Sequence, residues 1–399
     1  MRKPMGALLG CVLLVRLATA AEPFERATPL SPQPTLVVDD TMLAPGEIAP
    51  DGLSSGPRLF LGAEYLTWWL REGRIPATVT TSSQASQGLL GKPDTQTLYG
   101  DNRLETRHGD RFVGVRGSIA YWFDEDQSFG FEGGAFFLER DSTYFKAISD
   151  GGTLLARVFV NPDGTPSSKI IAGQTPNGVL SGGFVGYSRI ELFGEEANLV
   201  APLLRGESSR LELLGGVRFL QMRDRTDLTS SSRLLPDLST LLGLEDHYRI
   251  HNAYYGGQVG LRGETTFGRW SLSLRGEIGL GANQEQIRAF GQSIYQTPLE
   301  RLVTQTGLTV QASNMGTFDR TALNMVTEMG LNLGYRLTRH IEIFGGYTFL
   351  LWDSPLRSGD QIDAVINTNP GTAPARPGIP FKEDLFWAQG LNAGLNFSW

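Results

Sequence analysis

From residue 390 to the end of the chain, apolar and small polar positions alternate. One face carries Leu391, Ala393, Leu395, Phe397 and Trp399, and the other carries Gly390, Asn392, Gly394 and Asn396. Successive strand side chains point to opposite faces, so this pattern predicts a strand with one apolar wall and one small polar wall. A terminal strand is an exposed edge unless the sheet closes on itself. We therefore expect a closed barrel, apolar outside and polar inside, that sits in a membrane.

Similar alternation, weaker in some segments, predicts nine further strands. They span 58–71, 112–123, 128–140, about 184–204, 210–222, 252–266, 270–281, 323–337 and 341–351. Most are roughly 12–16 residues long, against the usual 5–6 residues of globular sheets. A soluble sandwich also alternates, but it buries its apolar face. Outward aromatic residues near the short turns favour the membrane interpretation, because they resemble an interfacial girdle: Phe123, Phe129, Trp270, Tyr335 and Trp399.

The connections alternate between long and short. Short turns are predicted at 124–127, 205–209, 267–269 and 338–340, and long segments at about 72–109, 146–180, 223–250, 282–320 and 353–383. Outer-membrane barrels have short periplasmic turns and long extracellular loops. The predicted fold is therefore all-β: a transmembrane antiparallel up-and-down barrel of about ten strands, formed by residues 58–399, with both termini in the periplasm.

The polar face carries small residues together with arginine and glutamate. The predicted inward charges are Arg116, Glu132, Glu212, Arg218, Arg262, Glu264, Arg275, Glu277, Glu328, Arg336 and Glu342. Unpaired charges in a narrow lumen are costly, so we expect an Arg–Glu network. One interpretation is a selectivity-determining pore lining. The other is a structural plug of salt bridges, because wide water-filled channels belong to barrels of 16–18 strands.

The first 57 residues are predicted to lie outside the barrel. Residues 1–21 read as a secretory signal peptide with a small-x-small cleavage site, and 22–57 as a proline-rich periplasmic tail. Cys11 is the chain's one cysteine, so a mature chain without the signal has no thiol chemistry. Losing Arg2, Lys3 and Arg16 takes the formal charge from −7 to −10, which argues against a nucleic-acid partner.

Several stretches resemble the beta-barrel porin 7 family of outer-membrane proteins. They lie at 65–71 (YLTWWLR), 80–82 (TTS), 254–264 (YYGGQVGLRGE), 330–338 (GLNLGYRLT), 346–352 (GYTFLLW), 359–363 (GDQID) and 386–397 (FWAQGLNAGLNF). The resemblance implies an outer-membrane barrel with a porin or structural role and supplies no catalytic residues. The C-terminal Phe397 and Trp399 are expected to preserve the signal for the barrel-assembly machinery.

The predicted function is porin-like passage of small solutes through a narrow charged lumen, and the partners are outer-membrane lipid and the assembly machinery. The alternative is a plugged structural or adhesion barrel that acts through its long loops. No enzyme activity, cofactor or metal is predicted. A surface protease could use Asp246, His247 and His251 with Asp360 and Asp363, but Asp–His neighbours in a polar loop are more often plain surface residues. Calcium could bind Asp360, Asp363 and Asn367, but these residues do not have a recognised calcium-loop spacing. The other histidines are His108 and His340.

Overall fold

The computed structural model describes residues 57–101, 111–139, 141–236, 238–369 and 372–399. The predicted signal peptide, nearly all of the predicted tail, and His108 lie outside the described residues. The strands are β1 (Leu59–Leu70), β2 (Val79–Thr81), β3 (Gln96–Tyr99), β4 (Phe112–Trp122), β5 (Gly130–Leu138), β6 (Asp141–Ser149), β7 (Leu155–Val160), β8 (Pro166–Thr175), β9 (Gly178–Arg205), β10 (Ser209–Leu234), β11 (Leu241–Phe267), β12 (Trp270–Gln296), β13 (Arg301–Thr304), β14 (Gly316–Arg336), β15 (Ile341–Trp352) and β16 (Phe386–Ser398). A short 3₁₀ helix spans Gly359–Gln361. Within this described part, no helix is long and apolar enough to cross a bilayer.

Ten of these strands pair into a closed antiparallel ring. Its order is β1, β4, β5, β9, β10, β11, β12, β14, β15 and β16, and β16 pairs again with β1. The closing register runs from Phe60 opposite Ser398 to Leu70 opposite Ala388. The terminal strand therefore has partners on both edges, and the predicted antiparallel up-and-down barrel is confirmed.

The two faces of the ring differ in exposure as the alternation predicts. On β1, Tyr65 is 55% exposed and its neighbour Leu66 is fully buried. On β16, Leu391 is 57% exposed, whereas Asn392 on the other face is 5% exposed. Apolar side chains therefore cover the outside of the ring, and polar or tightly packed side chains fill the inside.

Four strands are much longer than predicted. β9, β10, β11 and β12 contain 28, 26, 27 and 27 residues, so the loop predicted at 223–250 is mostly the outer halves of β10 and β11. Their outward positions change from apolar to charged residues such as Arg223 and Arg225. The apolar alternation that marks a membrane strand ends there, although the hydrogen-bonded ladder continues.

The long-loop end of the barrel carries a folded head. β6 extends the pairing on β9, β13 pairs with β12, and β8, β7, β2 and β3 form a sheet that starts from β9. The segments predicted as loops at 72–109 and 146–180 supply most of these strands. The four short turns join strands at the opposite end, called here the short-turn end.

Candidate functional site

The inner face of the ring is layered between the short-turn end and the long-loop end. Along β10 the inward positions are Arg218, then Leu220 and Met222, then Asp224 and Thr226. Alternation places them all on one face, because each is two residues from the next. The lumen therefore contains a charged layer, an apolar layer and a third layer nearer the head.

A cavity of about 720 Å³ lies at the short-turn end of the lumen. It reaches the turns, where Gln127, Arg205 and Arg339 line it, and extends inward to the charged layer at Arg218 and Glu328. We call it the vestibule. Small residues make room in this part of the barrel: a Cβ on Gly216 would lie 2.0 Å from the carbonyl oxygen of Ala197.

Arg218 is the centre of the charged layer. Its guanidinium lies 2.8 Å from Glu277, 2.9 Å from Glu328, and also contacts Glu196. The residue is only 5% exposed. Three carboxylates from three strands therefore converge on one buried cation, which draws the walls of the lumen together.

Further arginines extend this network around the ring. Arg275 lies 2.8 Å from each of Glu132, Glu196 and Glu277. Arg262 lies 2.5 Å from Glu132 and 2.6 Å from Glu212. Each carboxylate in this network has at least one guanidinium partner, as buried charges require.

Among the described residues, one cluster of carboxylates is spaced closely enough to hold a metal ion, and it lies in the charged layer. Oxygens of Glu132, Glu196 and Glu277 lie within 4.8 Å of one another. The Arg275 guanidinium already contacts all three at 2.8 Å. A cationic side chain of the protein therefore occupies the position that a metal ion would take.

All eleven predicted lumen residues belong to the inner face. All eleven line the vestibule or make ion pairs within the network: Arg116, Glu132, Glu212, Arg218, Arg262, Glu264, Arg275, Glu277, Glu328, Arg336 and Glu342. Glu342 also accepts hydrogen bonds from Ser271 and Asn396. That these residues line a conducting pore stays a prediction.

Sequence reasoning missed Glu196, which contacts two arginines of the network. Its strand looked irregular because the neighbouring Glu195 puts a charge on the outward face. The signal was present nevertheless: Gly194, Glu196 and Asn198 alternate as small and polar residues, like the inward faces of the other strands.

Above the charged layer, the lumen is filled with apolar side chains contributed by all but one of the ring strands. The apolar layer consists of Leu66, Trp68, Phe112, Phe136, Leu138, Ile190, Leu192, Leu220, Met222, Tyr254, Val326, Leu350, Trp352, Phe386 and Ala388. Leu66, Trp68, Leu350, Trp352 and Phe386 have no exposed surface. Water therefore reaches these side chains from neither end of the barrel.

Arg116 joins the two layers. Its guanidinium lies 2.8 Å from Glu328 in the charged layer. The same guanidinium lies 5.6 Å from the ring centre of Trp68 and 5.4 Å from that of Phe136. An arginine stacked on aromatic rings on one side and paired with a carboxylate on the other is held tightly in place.

The third layer is a buried segment of the last long loop, which we call the loop plug and define as residues 355–362. Arg357 donates to the buried Asp224 at 2.6 Å, and the Ser358 hydroxyl donates to the same carboxylate at 2.8 Å. Asn252 donates to the Leu356 carbonyl and accepts from its N–H, both at 2.9 Å. These contacts fasten the loop inside the upper barrel.

The candidate catalytic and calcium-binding residues are held apart by other contacts. Asp246 is buried on the inner face, 2.7 Å from Arg157, whereas His247 faces outward and contacts Asp227 at 2.7 Å. His247 lies outside the membrane-spanning part of the barrel. Its hydrogen bond to Asp227 raises its pKa, and partial burial opposes this shift.

Asp360 pairs with Lys382, and Asp363 pairs with Arg376, each at 2.7 Å. The Asn367 amide donates to Thr372 and Pro374. Each of these side chains therefore has a partner outside its own candidate set. At the short-turn end, the outward rings of Phe397 and Trp399 stack 6.0 Å apart, and their role as an assembly signal stays a prediction.

The model of the family described as Putative beta barrel porin-7 (BBP7) matches residues 60–399. No curated protein matches the sequence significantly. Among solved structures, the outer membrane protease OmpT from Escherichia coli is 9% identical, with a TM-score of 0.41, and the match covers 88% of this chain and 99% of that one. A FadL homologue from Pseudomonas aeruginosa is 9% identical, with a TM-score of 0.22, covering 86% and 90%. The CymD monoaromatic hydrocarbon channel is 9% identical, with a TM-score of 0.21, covering 86% and 89%.

Proposed function

This chain belongs to the Putative beta barrel porin-7 family of outer-membrane barrels, and we propose that its barrel does not conduct, because side chains block the lumen. In this proposal the short turns face the periplasm and the long-loop end faces the cell exterior, as in other bacterial barrels. The barrel then anchors the β-stranded head at the cell surface. Its function is structural or adhesive and is exerted through the head.

The observation that carries the proposal is the apolar layer. Its side chains come from the barrel strands themselves, so it is part of the ring's own core rather than a removable lid. Trp68 and Trp352 are both fully buried within it. An ion would lose its hydration there without finding polar ligands, which costs many kcal/mol.

Planar-bilayer recording of the purified full-length protein tests this function. We expect no stable openings from the wild type, and none when residues 355–362 are replaced by a Gly/Ser segment of equal length. Openings should appear only when that replacement is combined with Trp68→Ala and Trp352→Ala. Heat-dependent gel migration verifies that each barrel is folded. Stable channel openings from the wild type would refute a non-conducting barrel.

Small-solute passage is the second candidate, and the charged vestibule favours it. Its lining includes Arg116, Arg218 and Arg262 together with carboxylates, as a selective pore would require. This candidate requires wild-type openings whose ion selectivity changes in Arg218→Ala or Arg262→Ala. Arg301→Ala on the exposed strand β13 is the matched control, because it removes the same charge at a position that does not line the vestibule.

A further inference from the structure

Four arginines form a row across four adjacent strands on the outside of the barrel. Arg189 on β9 lies opposite Arg225 on β10, Arg225 opposite Arg249 on β11, and Arg249 opposite Arg288 on β12. The register continues to Ser142 on β6 at one end and Thr317 on β14 at the other. With strands about 4.8 Å apart, this arginine row is about 14 Å wide and ends on a hydroxyl at each side.

Such a row does not help the sheet to fold. Like charges directly opposite each other on neighbouring strands are destabilising, and here this arrangement occurs three times in succession. Arg189 pairs with Glu191 at 2.9 Å, and Arg225 pairs with Asp227 at 2.6 Å. An anion that bridges the row would remove the repulsion that remains.

Two arginines of the row are not neutralised by a carboxylate of the described residues. Arg249 and Arg288 are exposed, and the described residues place no carboxylate within ion-pair distance of either. The Arg249 guanidinium lies 4.8 Å from the ring centre of Phe290, so it packs against this ring on the outer surface of the barrel. A guanidinium group can donate to two oxygens of one phosphate group.

The row lies just beyond the apolar band of the barrel. On the outward face of β11, Tyr255 and Ala253 are followed by His251 and then Arg249. Arg249 lies four positions from Ala253, which is about 13 Å along the strand, or about 10 Å along the membrane normal when strands tilt by about 40°. The aromatic rings of Phe219 and Tyr255, 4.9 Å apart, mark the interface below it. In the orientation proposed above, with the long-loop end at the cell exterior, this depth matches the headgroups of the outer leaflet.

We propose that the arginine row is a docking surface for the phosphorylated headgroups of a sugar-based lipid of the outer leaflet. Phosphate groups about 14 Å apart or less can each contact one or two of the guanidinium groups. The bound headgroups would neutralise the aligned arginines and fix the barrel's depth and orientation in the membrane. This surface is on the outside of the barrel, so it is independent of whether the lumen conducts.

Binding of lipid A to the purified full-length protein in an uncharged detergent, followed by native mass spectrometry, tests the proposal. Diphosphoryl lipid A should bind more tightly than monophosphoryl lipid A, and both more tightly than phosphatidylcholine. Arg249→Gln combined with Arg288→Gln should weaken the binding of diphosphoryl lipid A by about tenfold or more, because charge-assisted contacts are lost. Arg249→Lys with Arg288→Lys should retain part of the binding.

The matched control is Lys92→Gln combined with Arg301→Gln, which removes the same charge from exposed positions away from the row. It should bind lipid A like the wild type. Equal weakening in the control, or unchanged binding in the Arg249/Arg288 variant, overturns the proposal. If the Arg249/Arg288 variant does not fold, the wild-type protein still tests the proposal. Equal binding of diphosphoryl and monophosphoryl lipid A by the wild type also overturns the proposal.

Discussion

Replacing Arg218 with methionine should destabilise the barrel and leave its architecture intact. Arg218 is 5% exposed and makes close contacts with Glu196, Glu277 and Glu328. A charge pair 2.8 Å apart attracts with about 6 kcal/mol at an effective dielectric constant of about 20. Desolvation offsets much of that, and breaking a buried pair typically costs about 3–5 kcal/mol. We expect the lower end, about 3 kcal/mol.

The reason is that the carboxylates keep other partners. Arg275 still contacts Glu196 and Glu277 at 2.8 Å, and Arg116 still contacts Glu328 at 2.8 Å. The loss of unfolding free energy should therefore arise mainly from the one additional uncompensated negative charge in the layer. Adding Glu277→Gln to Arg218→Met removes that surplus and should restore about 1–2 kcal/mol.

The assay is urea-induced unfolding of the protein in lipid vesicles, followed by tryptophan fluorescence. Arg336→Met is the control, because this exposed arginine has no ion pair within the described part of the chain and should change stability by less than about 0.5 kcal/mol. The reasoning fails if Arg218→Met is as stable as the wild type. It also fails if Glu277→Gln makes the Arg218→Met variant less stable.

Three further predictions concern the apolar layer, the loop around residue 310, and the outer face of β10 and β11. Trp68→Ala should cost about 3–5 kcal/mol of unfolding free energy, and Trp69→Ala on the opposite face clearly less, by the same urea assay; equal losses would contradict a packed lumen. Asp246→Ala removes the partner of Arg157 and the acceptor for the N–H groups of Thr309 and Val310, so limited proteolysis near 305–315 should accelerate, whereas Asp319→Ala should have no such effect. Because Asp227 raises the pKa of His247, their pair stabilises the outer ends of β10 and β11 fully below about pH 6.5, and this contribution is lost as pH rises through the raised pKa. Hydrogen exchange of those strand ends should therefore accelerate with pH more in the wild type, after correction for intrinsic exchange, than in His247→Gln; identical profiles would refute this coupling.

The sequence alone determined the barrel and the composition of its inner face. A period of two specifies which side chains share a face, so Asn392 and Arg262 could be assigned to the lumen without any tertiary information. Alternating short and long connections determined the up-and-down order, because short turns force neighbouring strands to pair. Glu196 escaped because Glu195 places a charge beside it on the outward face, which obscured the pattern.

Only the tertiary structure decided what fills the lumen. Leu66, Trp68 and Leu220 are apolar residues on a face expected to be polar, and they belong to one buried cluster only because ring closure brings distant strands together. The loop plug is bound by Asp224 and Asn252, more than 100 residues away, and such contacts leave no local periodicity. The arginine row likewise depends on register: each arginine alone is an ordinary surface residue, and strand pairing alone aligns the four.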